Sequence, residues 1–453
     1  MSRRRDVIIG LLAAAAVAAA AVAVAMASRQ QDLAAYWIAG KARWLGLDPY
    51  VNHCGGAVAP RLCDGVAFFR HSRFLYPPLA AELFRLLAIV PYRAAKFAFT
   101  GAAVGGWLLT ARLMARRPGG APSHALAVVI VGALFFPLYF HLERGQIDLL
   151  LLPLVVAAWL RRKQVFAAGG VLALAAVFKP ALLGVLPVMF ALGRRRLALA
   201  TVAGCVVAAG ATVAISGPRL VREYIADVLP RAALYGEGGT EDMMLPPDTL
   251  PITDDHGETA DVDGVTYKIT IPPFDGPASA SLPRLLAPRT PRWVTSVLPY
   301  ALVMLGLTWV ARRLPRRQAE NDDDDPEEID SPVIDDAELL LFIAAILACV
   351  VTSPTGWVMS FVWALPMAPL FWTAAGRARL SRQLNREPWE GSRTLPRWYA
   401  ASGARRLPTR LGMLGAVWIA CALFPLVNGW TAVAGTALVA AAAYAADAWT
   451  DAP

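Results

Sequence analysis

The chain has 453 residues, of which 57% are hydrophobic and only 17% charged, and a formal net charge of +9. A soluble globular domain carries about a quarter of its residues charged, so that class is excluded. The basic excess sits in short clusters at the ends of apolar runs, which argues for membrane topology and against a nucleic-acid partner.

A helix needs roughly 20 mostly apolar residues to cross about 30 Å of hydrocarbon at about 1.5 Å per residue. The first such run, Val7 to Met26, follows Arg3 to Arg5. Its apolar core exceeds the roughly 7 to 15 residues of a secretory leader, so it is read as a span, with a cleaved leader as the alternative. Further basic clusters are Arg116 and Arg117, Arg161 to Lys163, Arg194 to Arg196, Arg312 to Arg317, and the stretch from Arg377 to Arg406. With all of them in the cytoplasm, spans alternate near Phe97 to Leu113, Ala125 to Phe140, Ile147 to Leu160, Val165 to Phe178, Ala181 to Leu192 and Leu197 to Ile215. Later spans fall near Val294 to Val310, Leu339 to Val351, Trp357 to Trp372, Leu411 to Leu426 and Thr431 to Tyr444. The predicted fold class is an all-α integral membrane protein, a bundle of about 12 spans with both termini cytoplasmic.

Two long segments, 27–96 and 216–292, then lie outside the cytoplasm. In the second, Val265, Tyr267, Ile269 and Ile271 alternate around the turn pair Asp263-Gly264, which predicts a small β-hairpin. Inside lie an acidic linker, 312–338, too charged to bury anything, and a basic segment, 376–409. The latter, with Trp389, Trp398 and Tyr399, rests on anionic headgroups or is a plain solvated connection.

Cys205, Cys349 and Cys421 fall in apolar spans and read as small packing residues. Cys54 and Cys63 lie close together in the first outer segment, where an oxidising compartment favours a disulfide. Metal binding by His53 with these thiols is the alternative, but the short Cys-Cys spacing of zinc sites is missing and no metal site is expected.

Asp32 is the first carboxylate on the outer side, directly after the first span. It suits an acceptor of a hydroxyl proton at the membrane boundary. As a bland alternative it caps a helix or snorkels. Between the third and fourth spans, HLERGQID packs His141, Glu143, Arg144, Gln146 and Asp148 into one turn. Planar polar groups of this kind hold sugars, or else Glu143 and Arg144 pair and keep a turn in water.

Five stretches in order carry a resemblance. They are DLAAYWIAGKARWLGLDPY from Asp32, FLYPPLAAELFRLLAIVP from Phe74, RGQIDLLLL from Arg144, AAGGVLALAAVFKPALL with Lys179, and SPTGWVMSFVWALPMAPL from Ser353. The chain resembles the polyprenol-phosphate-mannose-dependent mannosyltransferases, glycosyltransferase family 87, which have the GT-C fold. The resemblance implies transfer of a hexose, foremost mannose, from a polyprenyl-phosphate donor to a lipid or glycan hydroxyl. It also implies inversion, an outward-facing site in a bacterial cytoplasmic membrane and no need of a sugar nucleotide. No cofactor is expected beyond the lipid-linked donor, with metal dependence left open.

By that resemblance Asp32 matches the catalytic base. The donor phosphate needs cations on entering a low-dielectric boundary, and the candidates are Arg70, Arg73, Arg144, Lys179, Arg219 and Arg222. Lys179 at a span end would be costly unpaired, although snorkelling also accounts for it. His141, Gln146 and Tyr76 complete the candidates for the substrate, while Pro77 and Pro78 pin the loop that carries Tyr76. Asp48 and Tyr50 read first as turn chemistry.

The chain departs from the family at two places. ASASL from Ala278 stands where an Asn-Gln-Ser stretch is common, and Trp357 is followed by Val358, Met359 and Ser360 rather than histidines. Two competitors therefore stay open: a transporter or lipid flippase, and a noncatalytic assembly protein that keeps the fold. A transporter would show paired similar halves.

Overall fold

Apolar runs of this length fold as helices because hydrocarbon offers backbone N–H and C=O groups no partner but each other. The computed structural model describes residues 2–28, 30–51, 74–230, 259–262, 265–268, 297–314, 332–353, 358–371 and 439. The helices are α1 (Ser2–Ala27), α2 (Gln31–Trp44), α3 (Pro78–Phe84), α4 (Tyr92–Arg116), α5 (Pro122–Leu134), α6 (Phe136–Arg144), α7 (Asp148–Leu160) and α8 (Val165–Phe178). They continue with α9 (Leu186–Ala191), α10 (Arg195–Ser216), α11 (Pro218–Glu223), α12 (Leu298–Arg313) and α13 (Pro332–Thr352), and 3₁₀ turns occupy Leu87–Ile89, Pro180–Val185 and Val358–Ala364. Two short strands, β1 (Thr259–Val262) and β2 (Val265–Lys268), pair antiparallel, with Val262 opposite Val265.

Among the described residues three helices are long and apolar enough to cross a membrane: Val7–Ala27 within α1, then α4 and α10. A fourth is added if α5 and α6, bent by 68° at Phe135, count as one broken span. The expected span from Ala125 to Phe140 is broken there into two helices, which make one span only as a bent pair. Pro137 lies in the first turn of α6 and disfavours helical backbone just before it. The expected crossings at Ile147 to Leu160 and Val165 to Phe178 are helices of 13 and 14 residues, about 20 Å long and short of a bilayer core. The run from Ala181 to Leu192 is a 3₁₀ turn followed by the 6-residue α9, because Pro180 and Pro187 both start new turns. The expected crossings from Leu411 to Leu426 and, but for Val439, from Thr431 to Tyr444 lie outside the described residues, as does the basic segment.

Along α13, Leu339 to Leu347 are each at most 1% exposed, so this helix is the buried axis of the bundle. α1 and α10 are its opposite. Leu11, Leu12 and Met26 of α1 and Val206 and Val207 of α10 are exposed apolar side chains, the pattern of lipid-facing helices. α8 and α10 pack through small residues, with Gly169 against Ala200 and Gly204 against Ala173. Any side chain there would hold the backbones apart. Cys205 is half-buried and Cys349 buried, both as free thiols in helices.

Pro153 inside α7 has no N–H, which leaves the carbonyl of Leu149 without its helical partner. α4 comes up to that freed carbonyl at Gly106, where a Cβ would stand 2.1 Å from the Leu149 oxygen. Neighbouring Gly105 faces open space.

The last part of the acidic stretch is helical, not a solvated linker. Asp336 and Glu338, at the start of α13, are buried, and Asp335 is half-buried. They bind three of the basic clusters: Asp336 pairs with Arg117, Asp335 with Arg162, and Glu338 with Arg194 at 2.9 Å. Local charge density suggested water, but each carboxylate meets a remote guanidinium.

Two stability outcomes follow. Gly106→Ala should cost about 1–3 kcal/mol by overpacking, seen as a lower Tm in detergent, while Gly105→Ala leaves Tm unchanged. Asp336→Ala should cost about 3–5 kcal/mol, because it strands the Arg117 guanidinium, itself 2% exposed, without its counter-charge.

Candidate functional site

The site begins at the break between α1 and α2. Gln30 has a positive φ of 49°, a left-handed conformation that a non-glycine residue adopts only at a cost of about 1–3 kcal/mol. Its surroundings hold it there. The side-chain Nε2 donates to Thr100 Oγ1 at 2.8 Å and to the Leu142 carbonyl at 2.9 Å, and the backbone carbonyl accepts from the Tyr92 hydroxyl at 3.1 Å. The kink sends α2 inward, and Asp32 in its first turn is 4% exposed.

Opposite stands the end of α6. Gly145 has φ 70°, and a Cβ there would meet Leu33 Cβ at 2.6 Å, so this close turn requires glycine. It brings both neighbours to one carboxylate. Arg144 grips Asp32 with two prongs, Nη2 to Oδ1 at 2.8 Å and Nε to Oδ2 at 3.1 Å, and Gln146 Nε2 donates to Oδ2 at 2.8 Å. Asp32 is therefore neither the cap, since the N-cap position is Gln30, nor a snorkelling acid. The alternative pairing of Arg144 with Glu143 is replaced by the bond across to Asp32.

The network extends through Gln146 Oε1, which accepts from Tyr36 at 2.9 Å and Tyr76 at 3.4 Å. The two phenols also share a hydrogen bond of 2.7 Å. Burial pushes both phenol pKa values up, so they remain protonated. Tyr36 stacks on Phe84 of α3 with ring centroids 4.6 Å apart, which fixes the wall beside Tyr76.

A second cluster lies two residues along the chain. Asp148 is fully buried at the start of α7 and accepts from Lys179 Nζ at 2.9 Å and from Trp363 Nε1 at 2.9 Å. Ser360 Oγ is 3.4 Å from Lys179 Nζ and 3.4 Å from Asp148 Oδ2. The Lys179 ammonium is thus paired, not merely snorkelling. His141, 0% exposed, accepts the Leu149 N–H on Nε2 at 3.1 Å, which leaves Nδ1 as the protonated nitrogen. That nitrogen has no partner among the described residues. A buried donor left unmatched costs about 1–3 kcal/mol.

The fold therefore gathers Asp32, Tyr76, Arg144 and Gln146 into one network and sets His141 and Lys179 beside Asp148. Arg219 is not part of it. It is exposed on α11, where its charge opposes the rise of the Glu223 carboxyl to about 7, caused by burial and then by Asp48. Tyr50 connects this patch to the site, stacking on Tyr224 at 5.9 Å and donating to the Tyr76 carbonyl at 2.8 Å. Asp48 accepts the Tyr50 N–H at 2.8 Å, a local turn. Arg70, Arg73, Cys54 and Cys63 lie outside the described residues. Among the described residues no group of three or more His, Cys, Asp or Glu gathers as a metal site.

Sequence reasoning placed Asp148 among the polar groups of the HLERGQID turn but did not pair it with Lys179, and it gave Ser360 and Trp363 no role. The signal was present: all three lie in stretches already singled out, RGQIDLLLL and SPTGWVMSFVWALPMAPL.

Comparison with known proteins gives one family. No curated protein and no solved structure matches the chain. Residues 74–243 match the family described as Glycosyltransferase family 87, a stretch that contains Tyr76, His141, Arg144, Gln146, Asp148 and Lys179. That match, together with helices apolar and long enough to cross a bilayer, supports a membrane glycosyltransferase.

Proposed function

We propose that the chain moves a hexose, foremost mannose, from a polyprenyl-phosphate donor to a hydroxyl of a lipid or glycan acceptor. The reaction takes place on the outer face of a bacterial cytoplasmic membrane and inverts the anomeric carbon. The reading rests above all on the Asp32 carboxylate, buried and gripped by Arg144 and Gln146 beside the Asp148–Lys179 pair. The orientation is supported by the basic clusters. Arg117, Arg162 and Arg194 meet the start of α13, whereas Asp148 and Lys179 stand at the other ends of α7 and α8.

In the proposed step the acceptor oxygen bonds to the anomeric carbon while its proton passes to an Asp32 oxygen. The carbon–oxygen bond to phosphate breaks, and its electron pair leaves with the phosphate. Among the donors to Asp32, Gln146, the uncharged one, is the least costly to give way to the incoming proton. Tyr36 and Tyr76 donate to Gln146 Oε1 and orient its amide towards the substrate, and the His141 Nδ1–H, unmatched among the described residues, offers a donor to an oxygen of the substrate. Lys179 carries positive charge towards the departing phosphate. Because Asp148 already compensates Lys179, and Asp32 compensates Arg144, the charge of the donor calls for additional cations. Arg70, Arg73 and Arg219 are the candidates.

In membranes supplied with lipid-linked sugar, Asp32→Asn should lower transfer by about 10²- to 10⁴-fold, the usual contribution of a general base. Full activity in that variant would remove Asp32 from the chemistry. A second outcome separates charge from folding. Lys179→Met should cost about 3–5 kcal/mol of stability by stranding Asp148, and adding Asp148→Leu should recover most of it while transfer stays low. Mass spectrometry of glycolipids from a deletion strain should show a product one hexose shorter, which identifies acceptor and sugar together.

A further inference from the structure

Asp148 is held by more than its counter-charge. Lys179 Nζ straddles the carboxylate, 2.9 Å from Oδ1 and 3.0 Å from Oδ2, and by itself supplies a full positive charge. The indole Nε1 of Trp363 also donates to Oδ1, at 2.9 Å, and Ser360 Oγ stands 3.4 Å from Oδ2 and 3.4 Å from Lys179 Nζ. Residues three apart eclipse one another in a 3₁₀ turn, so the turn Val358–Ala364 presents Ser360 and Trp363 on one face. Both are buried, and neither carries charge.

The two ion pairs of the site differ in kind. Arg144 holds Asp32 with a rigid planar fork, whereas Lys179 holds Asp148 with a rotatable ammonium on a flexible stem. The Lys179 backbone is fixed: its N–H donates to the Ala175 carbonyl at 2.9 Å, its carbonyl accepts from the Leu182 N–H at 2.9 Å, and Pro180 follows. Only the side chain is free to turn. Asp148 is fully buried while the Lys179 side chain is 23% exposed, so the ammonium is the end of the pair that meets a substrate. An ammonium drawn away towards a phosphate would strand a buried carboxylate, unless other donors hold it.

We propose that Trp363, with Ser360 beside it, is a positioning residue that frees Lys179 to follow the departing phosphate. This role rests on the transfer reaction proposed above. The indole N–H keeps Oδ1, and as the ammonium shifts outward the Ser360 hydroxyl closes on Oδ2. Two uncharged donors then hold the carboxylate in place of a charged one. Neither side chain touches the substrate. Their effect appears only as charge develops on the phosphate, so it falls on kcat and not on binding of the donor.

Transfer kinetics in membranes that contain the full chain and receive radiolabelled polyprenyl-phosphate mannose test it, with rates normalised to protein recovered as a monodisperse species in detergent. Trp363→Phe removes the N–H and keeps an aromatic ring, and kcat should fall about tenfold or more at unchanged KM for the donor, as for loss of a hydrogen bond to a charged group. Ser360→Ala, which deletes one oxygen, should lower kcat about threefold or more and keeps the test decisive if Trp363→Phe folds poorly. Asp148→Asn separates positioning from packing. An amide does not hold the ammonium as a carboxylate does, so in that background neither variant should lower kcat by more than about twofold. An equal loss of kcat in both backgrounds, or a raised KM at constant kcat, would overturn the proposal. Unchanged kcat in Trp363→Phe and Ser360→Ala, with transfer lost in the Lys179→Met, Asp148→Leu double variant, would overturn it and leave the proposed reaction standing. Full transfer by that double variant would remove Lys179 from the reaction and overturn both.

Discussion

Every buried carboxylate described in this bundle is answered by a cation from a distant part of the chain, and the architecture is organised around that constraint. Removing a carboxylate from water costs several kcal/mol unless a partner and further hydrogen bonds compensate it. Asp32 obtains Arg144, Asp148 obtains Lys179, Asp336 obtains Arg117, and Glu338 obtains Arg194. Each pair joins helices that share no local contact in sequence, so the pairs fix which helix ends meet.

These pairs divide into two poles. At one, the start of α13 draws in the basic clusters that end α4, follow α7 and precede α10. At the other, α2, the end of α6, the start of α7 and the 3₁₀ turn Val358–Ala364 converge on two carboxylates. The apolar middle of α13 runs between them without an exposed face. The basic pole is a structural fastening. The acidic pole adds what the other does not show among the described residues: paired phenols, a side-chain amide and an imidazole nitrogen without a partner.

Much of this was legible in the sequence, and the limits are physical. Basic clusters marked helix ends because charge is excluded from apolar spans, and α1, α4 and α10 coincide closely with the expected runs. Asp32, Arg144, Gln146 and Lys179 stood out because polar groups at span ends are few. What could not be read was pairing. Arg144 reaches Asp32 across 112 residues only because Gly145 takes a left-handed turn, and spacing carries no trace of that contact. The same limit explains the misreading of Asp335 to Glu338, whose partners lie in three remote clusters. The bend at Phe135 is a different failure, since Pro137 announced it.

The dependence of Asp148 on Trp363 has a consequence for how the protein is made. The two residues are 215 positions apart, and at about 5–20 residues per second the ribosome needs about 10–40 s to travel from one to the other. For that interval the nascent chain holds a buried-site acid with neither its indole donor nor the serine beside it. α13, which the finished bundle encloses on all sides, also has yet to arrive. The earlier helices must therefore wait in an open arrangement that admits a latecomer to their centre. Completion of the hydrogen bonds to Asp148 is therefore a late event of biogenesis.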